Sequence, residues 1–184
     1  MATIVGIDLA LTHTGIAVIV STVSGELVTA SARLIETAKP KKKSNLYAAV
    51  IDIQRATLLY TGIMDELRES RPALIAVELP SGSQSAVASK CGGIAKGVIT
   101  GIREALPEVP FLWFHQNQVK QALLGRSKVN KEEMAAAVLE RLPDLQDYLD
   151  EIAKTKREHI TDAAAVVIAS EGTELWRAAM GNSA

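Results

Sequence analysis

Thr3-Ile4-Val5-Gly6-Ile7-Asp8-Leu9 and, a few residues on, Gly15-Ile16-Ala17-Val18-Ile19-Val20-Ser21-Thr22 form the stretch from which the fold is read. Both runs are apolar and rich in β-branched residues, a composition that suits a pleated, half-buried surface. Ser24-Gly25 reads as a hairpin turn, and strand character resumes over residues 26–35. Three strands in close succession predict an antiparallel meander. Lys39-Pro40-Lys41-Lys42-Lys43-Ser44 breaks the pattern. Ser44 or Asn45 is placed to cap a helix running to about residue 70, with Leu46, Val50, Ile53, Ala56, Leu59, Ile63 and Leu67 at helical spacing.

Residues 73–79 are a short, almost continuous apolar run, the form taken by a strand covered on both faces. A helix unusually rich in Gly and Ala is predicted over 83–106, then a short strand at 111–114. Helices follow at 117–124 and 131–142, separated by a loop at 125–130. An amphipathic stretch covers 145–154, an Ala/Val/Ile helix covers 159–170, and a short tail helix closes the chain. The order β-β-β-α-β-α-β-α predicts an α/β fold with a mixed central sheet flanked by helices. Trp113 and Phe114 are expected in the core.

The 184 residues predict one domain over 1–184. A single Cys excludes an intramolecular disulfide, and no Cys/His cluster has zinc-ligand spacing. No apolar run reaches the ~18 residues of a membrane span. The chain enters its first strand with no basic leader, so a cytoplasmic protein is expected. The net charge of −1 argues against bulk coating of nucleic acid, though not against local basic surfaces.

Asp8 and Glu78 stand out because each sits in an otherwise apolar strand, where a carboxylate costs several kcal/mol unless compensated. His159 and Asp162 lie three residues apart near a helix start, which puts them on one face. Taken singly, each acid is also explained as a solvent-facing strand end, and His159 as a polar residue of a helix start. Together they suit a hard divalent cation such as Mg²⁺, which takes oxygen ligands and few protein groups. Two such ions about 4 Å apart can activate water and stabilise the leaving oxygen of a phosphodiester.

With those residues in view, the chain resembles the RuvC-like Holliday junction resolvases of the RNase H-like superfamily. The likeness runs through Gly6-Ile7-Asp8 with Thr14-Gly15-Ile16-Ala17-Val18, then Ala76-Val77-Glu78, then the Gly/Ala-rich helix near 92–102. It continues in Asn117-Gln118-Val119-Lys120-Gln121-Ala122-Leu123-Leu124-Gly125 and ends in His159-Ile160-Thr161-Asp162-Ala163-Ala164-Ala165. The resemblance implies an RNase H-like fold and a metal-dependent homodimeric endonuclease that nicks four-way DNA junctions symmetrically. It implies catalytic and metal-binding roles for Asp8, Glu78, His159 and Asp162, with two Mg²⁺ per site and Mn²⁺ able to substitute. His159 stands where many members carry Asp. Two departures concern the junction rather than the chemistry. Leu79-Pro80-Ser81-Gly82-Ser83 lacks the bulky aromatic that many members place after the second acid. Asp8-Leu9-Ala10-Leu11 replaces a Pro-Gly type of turn, and a phage-type variant is one reading of both changes.

Lys120, Lys128 and Lys131 are candidate phosphate contacts, as are Lys41, Lys42 and Lys43 in a run with four Lys in five residues. Solvated surface charge and a solubilising loop are the plain alternatives. Lys154, Lys156 and Arg157 form a further candidate track toward the last long helix. The small-residue helix is the expected dimer face, because a C2 dimer presents two sites to two equivalent strands. Cys91 reads as a small buried residue. An RNase H-like nuclease for other branched DNA or RNA, and a non-catalytic junction-binding module, remain open at this point.

Overall fold

In the computed structural model, which describes residues 1–38, 47–82 and 85–181, the opening apolar run becomes β1 (Ala2–Asp8). β2 (His13–Ser21) and β3 (Leu27–Glu36) complete the meander, with Gly25 at φ 85° in the turn between them. β4 (Leu74–Glu78) and β5 (Phe111–Phe114) extend the sheet on the other side of β1, in the order β3-β2-β1-β4-β5. β1 runs antiparallel to β2 and parallel to β4, and β4 runs parallel to β5. The mixed sheet predicted from the element order is the sheet observed.

Strand alternation sorts the core into two faces. Val5, Ile7, Ile75 and Val77 point toward α1 (Ala48–Ser70) and α2 (Ala86–Ala105), against Leu59, Ile63, Ala95 and Ile99. Ile4, Ala17, Leu74 and Ala76 point the other way, toward α3 (Gln116–Leu124), α4 (Lys131–Arg141), α5 (Leu145–Asp150), α6 (Arg157–Ser170) and α7 (Glu174–Gly181). A 3-10 turn (Lys154–Lys156) leads into α6. α6 is the central helix of this face, with every residue from Ala163 to Ser170 buried.

Two glycines set how closely α6 approaches. A Cβ on Gly6 would stand 1.9 Å from the Ala163 carbonyl oxygen, and one on Gly15 would stand 1.9 Å from that of His159. The helix backbone therefore rests directly on β1 and β2. This contact explains why the first strand carries Gly6 and the second opens near Gly15, and it fixes the height of α6 above the sheet.

Several local expectations need correction. Val50 and Ile53 are 39% and 66% exposed, so the first turns of α1 do not bury the predicted stripe. The inward position there is Arg55, which donates from Nε to Thr37 Oγ1 at 2.9 Å and from Nη2 to Thr12 Oγ1 at 2.8 Å. A buried guanidinium with hydroxyl partners pins the β1–β2 loop where periodicity alone expects an aliphatic residue. α2 begins at Ala86, with Ser85 as its cap, and α6 begins two residues before the predicted start. Trp113 is 39% exposed and stacks on Phe111, because β5 is the edge strand. The proposed caps Ser44 and Asn45, and the Lys41, Lys42 and Lys43 run, lie outside the described residues.

Candidate active site

Asp8 and Glu78 are Cα partners at the C-terminal ends of the parallel pair β1 and β4. Equal register puts both carboxylates on one face, the face that carries α6. The loop that follows β1 is held from both sides. Leu9 N–H donates to the Glu78 carbonyl at 3.2 Å, and Leu9 and Leu11 are buried in the α1/α2 layer. Thr14 Oγ1 accepts from Ala10 N–H at 3.1 Å. An apolar anchor thus does here the work of a compact turn.

α6 brings the other half. His159 and Asp162 occupy its first two turns, above the strand ends, at the height set by Gly15. His159 Nδ1 lies 2.8 Å from Asp8 Oδ2. With the Asp8 carboxylate oxygen as acceptor, Nδ1 is the donor and Nε2 keeps the lone pair. The bond raises the His159 pKa, with burial opposing it. Burial pushes Glu78 up to about 8, and the charges of Asp8 and Asp162 add to it while Lys120 opposes. Asp162 is pushed up to about 7 by burial, then by the charges of Asp8 and Glu158, with His159 and Lys131 opposing. The four predicted residues therefore share one electrostatic environment and line one cleft of about 400 Å³.

The sequence reading missed Glu158, which lines the same cleft and forms an ion pair with Lys131. It looks like an ordinary surface acid, and only its place beside His159 hints otherwise. Of the predicted basic residues, Lys131 stands in the first turn of α4 behind the Asn130 capping box, at the rim of the cleft. Lys120 acts electrostatically on Glu78. It also lines, with Lys131 and Lys154, an adjoining cavity of about 350 Å³. Lys128 is exposed on the loop before α4. The further track is largely spent on internal pairs. Lys156 binds Glu36 at 2.5 Å, and Arg157 lies 3.3 Å from Asp150 and donates to the Ile152 carbonyl. Cys91 is half-buried, on the wall of the cleft.

Among the described residues, no three His, Cys, Asp or Glu side chains are gathered tightly enough to hold a metal ion as they stand. The donor set nevertheless fits a hard divalent cation by its chemistry. It consists of carboxylates and one imidazole, and two of the carboxylates carry raised pKa values that a nearby positive charge would relieve.

Paired acids at adjacent strand ends, faced by a helix-borne acid, thus stand on a mixed five-stranded sheet of the RNase H-like fold. The sequence pattern of the crossover junction endodeoxyribonuclease RuvC family matches residues 4–170, and the chain belongs to that family. No individual curated protein matches the chain in sequence. Among solved structures, Thermus thermophilus RuvC in complex with a Holliday junction substrate superposes with a TM-score of 0.71 at 24% identity, covering 98% of this chain and 97% of that one. The yeast mitochondrial Holliday junction resolvase Ydc2 gives 0.65 at 10% identity, covering 97% and 80%. The fowlpox virus Holliday junction resolvase gives 0.57 at 11% identity, covering 90% and 94%. At these identities the likeness speaks for the fold. Among the described residues no helix is long and apolar enough to cross a membrane.

Proposed function

We propose that this protein is a structure-specific DNA endonuclease that resolves four-way junctions by metal-dependent phosphodiester hydrolysis, acting as one domain over residues 1–184 in a homodimer. The observation that carries the reading is the shared rung of Asp8 and Glu78 beneath Asp162 and His159. Asp8, Glu78 and Asp162 would hold the divalent ions, two Mg²⁺ or Mn²⁺, with His159 as a further ligand. Bound there, such ions activate a water and stabilise charge on the departing 3′ oxygen.

The chain's own groups account for the rest. Asp8 keeps His159 in the tautomer that leaves Nε2 for the cleft, either on a metal or beside the scissile phosphate. Lys131 pairs with Glu158 in the absence of DNA, and a backbone phosphate at the rim would compete for it. Lys120 offsets the negative field at Glu78. Lys128, exposed on the loop before α4, adds a phosphate contact, and Lys41, Lys42 and Lys43 are further phosphate contacts proposed from the sequence.

The test is cleavage of a labelled four-way junction under metal titration, with three-way and linear DNA alongside. Paired symmetric nicks, leaving 5′ phosphate and 3′ hydroxyl ends, are expected with Mg²⁺ or Mn²⁺ and not with chelator. Asp8→Asn should lower cleavage by on the order of a hundredfold or more while junction binding persists. Cleavage that favours another substrate over the four-way junction would overturn the resolvase reading. A wild-type protein that binds junctions and never cuts them would make it a binding module.

A further inference from the structure

His13 opens β2 at its site end and has none of the roles assigned above. On a strand, residues two apart share a face, so His13 points to the same side as Gly15, toward α6. Gly15 lies under the His159 carbonyl. The next position on that face brings the His13 ring against the His159 ring, with centroids 5.3 Å apart and planes inclined by 22°. His13 is itself held. It pairs in register with Glu36 at the end of β3, and its Nε2 lies 3.5 Å from Glu36 Oε2. The same Glu36 oxygen accepts from Lys156 Nζ at 2.5 Å, and Lys156 is the last residue of the turn that enters α6.

We propose that His13, braced by Glu36 and Lys156, is a positioning residue that clamps the His159 ring by its face so that Nδ1 stays on Asp8 and Nε2 stays directed into the cleft. Two restraints are needed to fix an imidazole. A hydrogen bond at Nδ1 sets one edge but leaves the ring free to tilt off the carboxylate and break that bond part of the time, while a stacked ring restricts the plane and keeps the bond closed. His159 receives the first from Asp8 and the second from His13. Among the described residues Nε2 meets no protein hydrogen-bond partner, so its direction depends on these restraints. The Lys156–Glu36 pair ties the start of α6 to the strand that carries the brace, so clamp and clamped residue move together.

The catalytic meaning of this clamp rests on His159 belonging to the nuclease site, so the first readout does not involve cleavage. Ring nitrogen NMR of His159 in the full chain, assigned by its loss in His159→Ala, is recorded above the imidazole titration range. Wild type is expected to show the Nδ1–H tautomer. His13→Phe keeps a stacking ring and should retain it, whereas His13→Ala should drift toward the Nε2–H form of free imidazole. An unchanged tautomer in His13→Ala overturns the proposal. The second readout is junction cleavage. His13→Ala should lower kcat about tenfold with little change in KM, and His13→Phe should recover most of the loss. In a His159→Ala background, His13→Ala should cost nothing more. An equal further loss there means that His13 acts apart from His159 and overturns the clamp. A wild-type protein that cuts no junction overturns the nuclease reading, and the NMR result still decides the clamp.

Discussion

Asp8 and Glu78 share a rung of the sheet, and two carboxylates so placed are stable together only if one holds a proton or a cation stands between them. Burial and mutual charge raise Glu78 to about 8 and Asp162 to about 7, and His159 is raised by its bond to Asp8. The sign follows from proton counts. Each of these groups has a higher pKa folded than unfolded, so from the ordinary carboxylate range up to about 8 the folded protein holds more protons. Stability of the metal-free protein must therefore fall as pH rises through that window. Thermal melts with chelator should give a lower Tm at about pH 9 than at about pH 6, and added Mg²⁺ should shrink the difference. A Tm that climbs over that range would show that these groups are not raised in the folded protein. At this scale the sequence was legible where a residue contradicted its surroundings. Asp8 and Glu78 are acids in apolar strands, and Asp162 and His159 share a helix face. Glu158, Arg55 and His13 were illegible because each looks like an ordinary surface side chain, and only tertiary packing turns it inward.

At the scale of elements, the site depends on how α6 lies on β1 and β2. A methyl group at Gly15 would meet the His159 carbonyl at 1.9 Å, and one at Gly6 would meet the Ala163 carbonyl at the same distance. Both obstacles are backbone, which cannot rotate away. Gly15→Ala should lift the His159 end of the helix, with a stability loss of about 1–3 kcal/mol. The loss should show in denaturant melts, together with a fall in cleavage larger than the fraction unfolded explains. Gly6→Ala acts under the middle of the helix and should cost stability at least as much. Periodicity located the helices well because most bury a stripe. It failed for Val50 and Ile53 because a repeat of apolar residues does not say where the sheet beneath it ends. Trp113 was misread for a related reason, since four apolar residues look alike in a central strand and at an edge.

For the molecule as a whole, charge is segregated. A net charge of −1 conceals acids gathered at one end of the sheet, with Lys131 at the rim of the same cleft and Lys120 lining the adjoining cavity. The outer face of α2 bears on the proposed dimer. Gly93, Gly97 and Gly101 recur every fourth residue, are exposed, and would place a Cβ in open space. Gly in a helix interior costs about 1 kcal/mol relative to Ala, so the stripe weakens an isolated subunit. Gly97→Ala should thus stabilise the monomer by about that amount. If this face is the interface between subunits, the bulkier Gly97→Arg should shift sedimentation toward monomer and uncouple the paired nicks into single ones. A Gly97→Arg protein that stays dimeric would place the interface elsewhere.

The distance along the chain between the two halves of the cleft has a consequence for biosynthesis. β1 is translated well before α6, and the proposed site needs the acids of both. Sheet and helix must also wait for each other to bury their common face, a late, long-range step. A nascent or prematurely terminated chain that lacks α6 therefore has no Asp162, no His159 and no cover over Asp8. On the proposed function, an unfinished copy therefore lacks half of its cutting groups until α6 is made.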